Sequence, residues 1–236
     1  MLIALAVPAI VHALPKASNV PGGIALIPLG PVSAQGKAPR AWLEDQPVLV
    51  SAESGQWFAV VGLALDLPTG THDLHVGEGV EQKLLHFEVG SKRYPEQHIT
   101  LKDKSKVNLS PTDEARAIAE IATIKELKRH WRDTDSTETD FALPAEGRLA
   151  SRFGLRRFFN GEPRAPHAGL DVAVPRGTPI RTSARGKVLA VDDYFFNGKT
   201  VFVDHGNGLI SMYCHLDRID VQAGDPVSQG QRLGLS

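Results

Sequence analysis

The sequence predicts a mainly β protein: a small N-terminal β-sandwich or barrel, one bridging helix at about 110–132, and a C-terminal antiparallel β unit. Three observations predict it. Short apolar runs separated by Gly, Pro, Ser and Asp fill residues 21–105. One stretch alone combines helical periodicity with helix-end chemistry. After Trp131 only short runs with glycine-containing turns follow. A length of 236 residues leaves room for one or two domains. A net charge of −1 gives no global pull toward nucleic acid or anionic membrane. The single cysteine, Cys214, rules out an internal disulfide framework.

In chain order, Leu2 to Leu14 is apolar except for His12, too short for a membrane span and of the length of a signal-peptide core. Val11-His12-Ala13 fits a cleavage site after Ala13, although the basic segment expected ahead of such a core is missing. Residues 1–20 are therefore expected to be a signal-peptide region trimmed at its front, which implies export. Within 21–105, strands are expected at Ile24–Leu29, Pro47–Val50, Trp57–Leu65, His72–Val76 and Leu84–Val89. Trp57–Leu65 is apolar on both faces and should be central. His72 and His75 should point to opposite sides of an exposed strand rather than share a metal.

Residues 106–143 read as helix and linker. Ser110 can cap, Pro111 suits the first position, and Asp113 completes a Ser-x-x-Asp box. Asp113 and Glu114 sit near the positive end, with Lys125, Lys128, Arg129 and Arg132 near the negative one. Ile118, Ile121, Ala122, Leu127 and Trp131 form a stripe that should pack on something. Arg132–Asp140 is polar, a linker by composition. The last unit, 144–236, should hold strands at Leu149–Phe153, Lys187–Val191, Thr200–Val203, Leu209–His215 and Arg232–Leu235.

Chemistry concentrates in Pro166-His167-Ala168-Gly169-Leu170-Asp171. Pro163, Pro166 and Gly169 argue against a helix, so His167 and Asp171 belong on a loop running into a strand. Imidazole nitrogen and carboxylate oxygen are good ligands for a borderline cation such as Zn²⁺. The plain alternative is a surface histidine near a solvated aspartate.

Around this pair stand Leu149-Ala150-Ser151-Arg152-Phe153-Gly154-Leu155-Arg156, Gly177-Thr178-Pro179-Ile180, Gly186-Lys187-Val188, Val203-Asp204-His205-Gly206-Asn207-Gly208, Met212-Tyr213-Cys214-His215-Leu216 and Gly230-Gln231-Arg232-Leu233-Gly234. In this order, over 144–236, the series resembles the lysostaphin-type (LytM-like) zinc metallopeptidases, metallopeptidase family 23, which cut peptide bonds in bacterial peptidoglycan. The resemblance implies a sheet curled around a groove, a Zn²⁺ held by His167 and Asp171, and a catalytic histidine at His215 that orients water or stabilises an oxyanion. It implies peptidoglycan peptide stems as partners and a periplasmic or secreted location. Arg157–Gly161 and Phe195–Gly198 resemble the periplasmic branch of the family. His205, ahead of the Asn-Gly turn, reads as structural. Cys214 should alternate away from His215.

The family closes its site with a His-x-His motif that supplies a third zinc ligand and a second catalytic histidine. The sequence reaches Gly234-Leu235-Ser236 without it. The expectation is therefore a fragment with weak zinc binding, an unpaired sheet edge, and poor solubility or activity. Two other classes compete with the hydrolase: an inactive member regulating other wall hydrolases, and a non-catalytic wall-binding module.

Overall fold

The computed structural model describes residues 14–32, 37–79, 82–101 and 109–236. The expected signal-peptide core falls in 1–13, outside the described residues.

The N-terminal half contains β1 (Ile24–Pro31), β2 (Ala41–Leu43), β3 (Gln46–Pro47), β4 (Leu49–Glu53), β5 (Gln56–Gly62), β6 (Gly70–Val76), β7 (Lys83–Val89) and β8 (Glu96–Ile99). The first seven make two sheets, ordered β1-β5-β4 and β3-β2-β6-β7. Because alternate side chains leave a strand on opposite faces, Ala25 and Ile27, Ala59 and Val61, Leu74 and Val76, and Phe87 and Val89 all meet in one buried cluster. Two sheets sharing one apolar layer form a sandwich, one of the two forms that the length and spacing of the apolar runs predict, and β5 is its central strand in the first sheet. The β4–β5 turn takes positive φ at Ser54 (51°) and Gly55 (78°), the geometry a two-residue hairpin needs. His72 and His75 do lie on opposite faces of β6, but both are half-buried rather than exposed. His72 bonds the Pro68 carbonyl at 2.8 Å and lies against Phe87, whereas His75 pairs across the sheet with Trp42 and Leu84.

The helix, α1, runs from Pro111 to Lys128, shorter than the expected 110–132. Its N-terminus is as the sequence predicts: the Ser110 hydroxyl accepts from the Asp113 amide at 3.1 Å. Its C-terminus closes at Arg129 because the next residues are claimed by the C-terminal half. A Cβ on Gly208 would lie 2.8 Å from the Trp131 ring, and the Arg132 guanidinium pairs with the buried Asp204 carboxylate. The expected apolar stripe is corrected as well. Ile118 and Ile121 are exposed, and Ala117 is the buried residue of the helix. The helix docks by polar contacts instead: Arg116 donates to the Asp193 carbonyl at 2.8 Å, and Glu120 accepts from the Phe195 amide at 2.6 Å. Those two bonds fix which face turns inward, and the isoleucines are left outside it.

The C-terminal half holds β9 (Arg148–Ser151), β10 (Arg156–Phe159), β11 (Glu162–Pro163), β12 (Asp171–Ala173), β13 (Pro179–Arg181), β14 (Gly186–Tyr194), β15 (Gly198–Asp204), β16 (Ile210–Leu216), β17 (Arg218–Ile219), β18 (Pro226–Val227) and β19 (Arg232–Leu235). The main sheet is β16-β15-β14-β18, and β13-β19-β17 forms another. Val188, Val201, Val203, Tyr213, Leu216, Val227 and Leu233 form their shared core. Pairings in these two sheets are antiparallel, as expected. The exception among the described residues is β8, which crosses from the N-terminal half and pairs parallel to β10, with Gln97 opposite Arg157.

Candidate metal centre

His167 and Asp171 are brought together. His167 lies on the loop before β12 and Asp171 is the first residue of that strand, as the prolines and glycine predict. The His167 backbone is pinned on both sides: its amide donates to the Leu155 carbonyl at 2.9 Å, and its carbonyl accepts from the Gly154 amide at 2.7 Å. Gly154 makes this possible with φ of 87°, a left-handed conformation that suits glycine. The Tyr94 ring closes over Gly154, and the Tyr94 hydroxyl anchors to the Pro21 carbonyl at 2.8 Å.

The imidazole itself is oriented. Its Nδ1 lies 3.1 Å from the Arg152 carbonyl oxygen, which can only accept, so Nδ1 carries the hydrogen. That leaves Nε2 facing Asp171 Oδ1 at 3.2 Å. In the neutral ring Nε2 is an acceptor, as is the carboxylate oxygen, and the two approach as an ion-pair contact rather than a hydrogen bond. Two ligand atoms of a tetrahedral zinc, each about 2.0–2.1 Å from the ion, lie roughly 3.3 Å apart. The observed separation fits. The ring is 11% exposed and the carboxylate 44%, so one ligand is held fast while the site stays open on the other side. A carbonyl or carboxylate fixing the far nitrogen of a ligating histidine is the usual outer support of such sites. Among the described residues, no group of three or more His, Cys, Asp or Glu is placed to hold an ion. The donor set here is therefore one nitrogen and one oxygen.

His215 lies on β16, where the strand is irregular. The register with β15 shifts between Lys199 and Val201, and His215 has φ of 58°. Tyr213 and Leu216 are both buried although three residues apart, which strict alternation forbids. An extra residue in the strand resolves this and re-aims its neighbours. The His215 ring is thereby exposed, with its amide donating to the Asn197 carbonyl at 2.9 Å. Beside the exposed His215, Cys214 is half-buried, with its sulfur 3.7 Å from the Asn197 side-chain nitrogen. Burial pushes the half-buried Cys214 thiol above its ordinary pKa, and the Asp171 carboxylate acts in the same direction.

His205 is elsewhere and fully engaged. Its Nδ1 bonds the Arg185 carbonyl and its Nε2 the Ser211 hydroxyl, each at 2.7 Å. No nitrogen is left for a metal. Burial lowers its pKa below the ordinary value. The folded ring resists a proton that the unfolded chain accepts, so this contribution is full above about pH 6.5 and is lost as the pH falls through the folded value. The thermal midpoint of the wild type should therefore fall more than that of His205→Gln between pH 7.5 and 5. Parallel curves would contradict this role for His205.

Sequence reasoning missed Arg157, whose Nη2 lies 3.5 Å from Asp171 Oδ2, and Tyr94. No local pattern marks either, because each acts across the sequence.

Comparison with known proteins adds the following. The profile of peptidase family M23 matches residues 165–236, and that of the peptidase family M23 N-terminal domain matches residues 17–92. A Pseudomonas aeruginosa crystal structure assigned to peptidase M23 is 40% identical, with a TM-score of 0.75, over 92% of this chain and 82% of the other. Peptidoglycan DD-endopeptidase ShyA of Vibrio cholerae is 40% identical over 97 residues, 41% of this chain and 23% of the relative. Cell division protein DipM of Caulobacter vibrioides is 33% identical over 95 residues, 40% of this chain and 15% of the relative. The chain thus spans about a quarter or less of the length of the curated relatives it matches.

Proposed function

This chain belongs to peptidase family M23, and from that premise we propose that it contributes His167, Asp171 and His215 to a zinc endopeptidase that hydrolyses peptide cross-links of bacterial peptidoglycan, outside the cytoplasm. The observation that carries this reading is the 3.2 Å approach of His167 Nε2 to Asp171 Oδ1, with Nδ1 already committed to the Arg152 carbonyl. Similarity to a protein named as a peptidoglycan DD-endopeptidase supports the substrate class. No helix among the described residues is long and apolar enough to cross a membrane.

In this reading zinc, when bound, supplies a Lewis acid that polarises the scissile carbonyl and acidifies water. His167 offers Nε2 because its other nitrogen is held, and Asp171 offers Oδ1. His215, exposed on the bulge, donates to the carbonyl oxygen as charge develops there. An inactive regulatory member has no need for a metal-ready pair, and the intact His167–Asp171 geometry favours the hydrolase.

The test is hydrolysis of cross-linked muropeptides by the full-length protein. Turnover should vanish with a chelator and return with Zn²⁺, and His215→Ala should abolish turnover while leaving zinc content unchanged. Turnover that persists in chelator, or none from metal-replete protein, would overturn the reading.

A further inference from the structure

We propose that Arg157 is a positioning residue for Asp171, and that Gln97, on a strand supplied by the N-terminal half, sets its orientation, so that both halves of the chain build the metal site. This rests on the reading of His167 and Asp171 as ligands. The two oxygens of Asp171 are divided: Oδ1 faces His167 at 3.2 Å and Oδ2 faces Arg157 Nη2 at 3.5 Å. Arg157 Nε donates to Gln97 Oε1 at 3.3 Å, across a sequence separation of 60 residues. Gln97 is also the register partner of Arg157 in the parallel β8–β10 pair. The arginine side chain is 25% exposed, so its position is set by these partners more than by solvent.

A carboxylate that gives one oxygen to a cation can swing the other in as well. A guanidinium on the second oxygen holds it in one orientation, the outer-shell role that tunes metal affinity. Only arginine does this while keeping a second acceptor, because its planar fork presents several donors at once; a lysine ammonium is a single point charge. The neighbouring rungs of the same strand pair do not reach the site. Glu96 bonds Arg156 on the surface at 2.9 Å, and His98 stacks on Phe158 at 4.7 Å.

The experiment measures the zinc dissociation constant of the full-length protein by competition with a chromophoric chelator. Arg157→Ala should weaken zinc binding about tenfold or more, within the range known for outer-shell residues. Arg157→Lys should not restore it. Gln97→Ala should shift affinity in the same direction by less, and Gln97→Glu, which keeps the acceptor, should rescue it. Glu96→Ala breaks the adjacent rung and should leave affinity unchanged. Wild-type affinity in Arg157→Ala, or an equal loss in Glu96→Ala, would overturn the proposal. His167→Ala separates the two levels: undiminished zinc binding there sinks the ligand assignment itself. Zinc loss in His167→Ala with none in Arg157→Ala sinks the positioning role alone.

Discussion

Asp171→Ala in the full-length protein is expected to weaken zinc binding by about a hundredfold or more, at or beyond the top of the range for outer-shell changes. The reason is geometric. His167 Nε2 and Asp171 Oδ1 are spaced as two corners of one coordination polyhedron, and deleting one leaves a single imidazole to hold the ion. Asp171→Asn sharpens the test. The amide keeps the volume and can still bond the His167 ring, so a plain hydrogen-bonded pair would survive it. A zinc site would not, because the neutral oxygen is a much poorer ligand than a carboxylate. Titration with Zn²⁺ should show both variants impaired, with thermal midpoints in chelator close to wild type. Unchanged zinc affinity in either variant would reduce the pair to a surface contact.

Gly154→Ala is expected to cost about 3 kcal/mol or more, combining a left-handed backbone penalty with overpacking. The φ of 87° accounts for one part. A Cβ there would lie 2.1 Å from Tyr94 Cε1, so either the ring or the turn must move. Either movement disturbs the backbone bonds from residues 154 and 155 that hold His167, so zinc affinity should fall along with stability. Gly161→Ala is the matched control. Its φ of 85° carries a similar backbone penalty, but an added Cβ meets nothing within 4 Å. Urea midpoints should show Gly154→Ala as clearly the more damaging. Equal losses would mean that the Tyr94 ring yields freely and that the turn is not the support described.

What could be seen beforehand divides along physical lines. β5 was legible as a central strand because its residues are apolar on both faces; in the structure Ala59 and Val61 are buried, and Phe58 and Val60 on the other face are half-buried. The start of α1 was legible because Ser110, Pro111 and Asp113 act locally on their own backbone. Its end was not, since Trp131 and Arg132 suit a helix yet are drawn to Gly208 and Asp204, roughly seventy residues away. The exposed Ile118 and Ile121 fail for the same reason: periodicity finds an apolar face but not the bonds at Arg116 and Glu120 that choose which face docks.

The site shows the same division. His167 and Asp171 could be placed on a loop running into a strand because Pro163, Pro166 and Gly169 are local signals. The setting of His215 could not, because alternation presumes a regular strand and β16 carries a bulge. Arg152 contributes through a backbone carbonyl, which any residue type could supply. Arg157 and Gln97 meet only because β8 crosses to the other half, a pairing that no short stretch of sequence announces.

The central claim is that His167 and Asp171 grip one divalent ion. Anomalous diffraction at the zinc edge, on crystals of the full-length protein grown with Zn²⁺, tests it most directly. The account predicts one strong peak about 2.0–2.1 Å from both His167 Nε2 and an Asp171 carboxylate oxygen, with His215 facing it. A strong peak elsewhere, with His167 Nε2 donating a hydrogen bond to Asp171 and no ion between them, would contradict it.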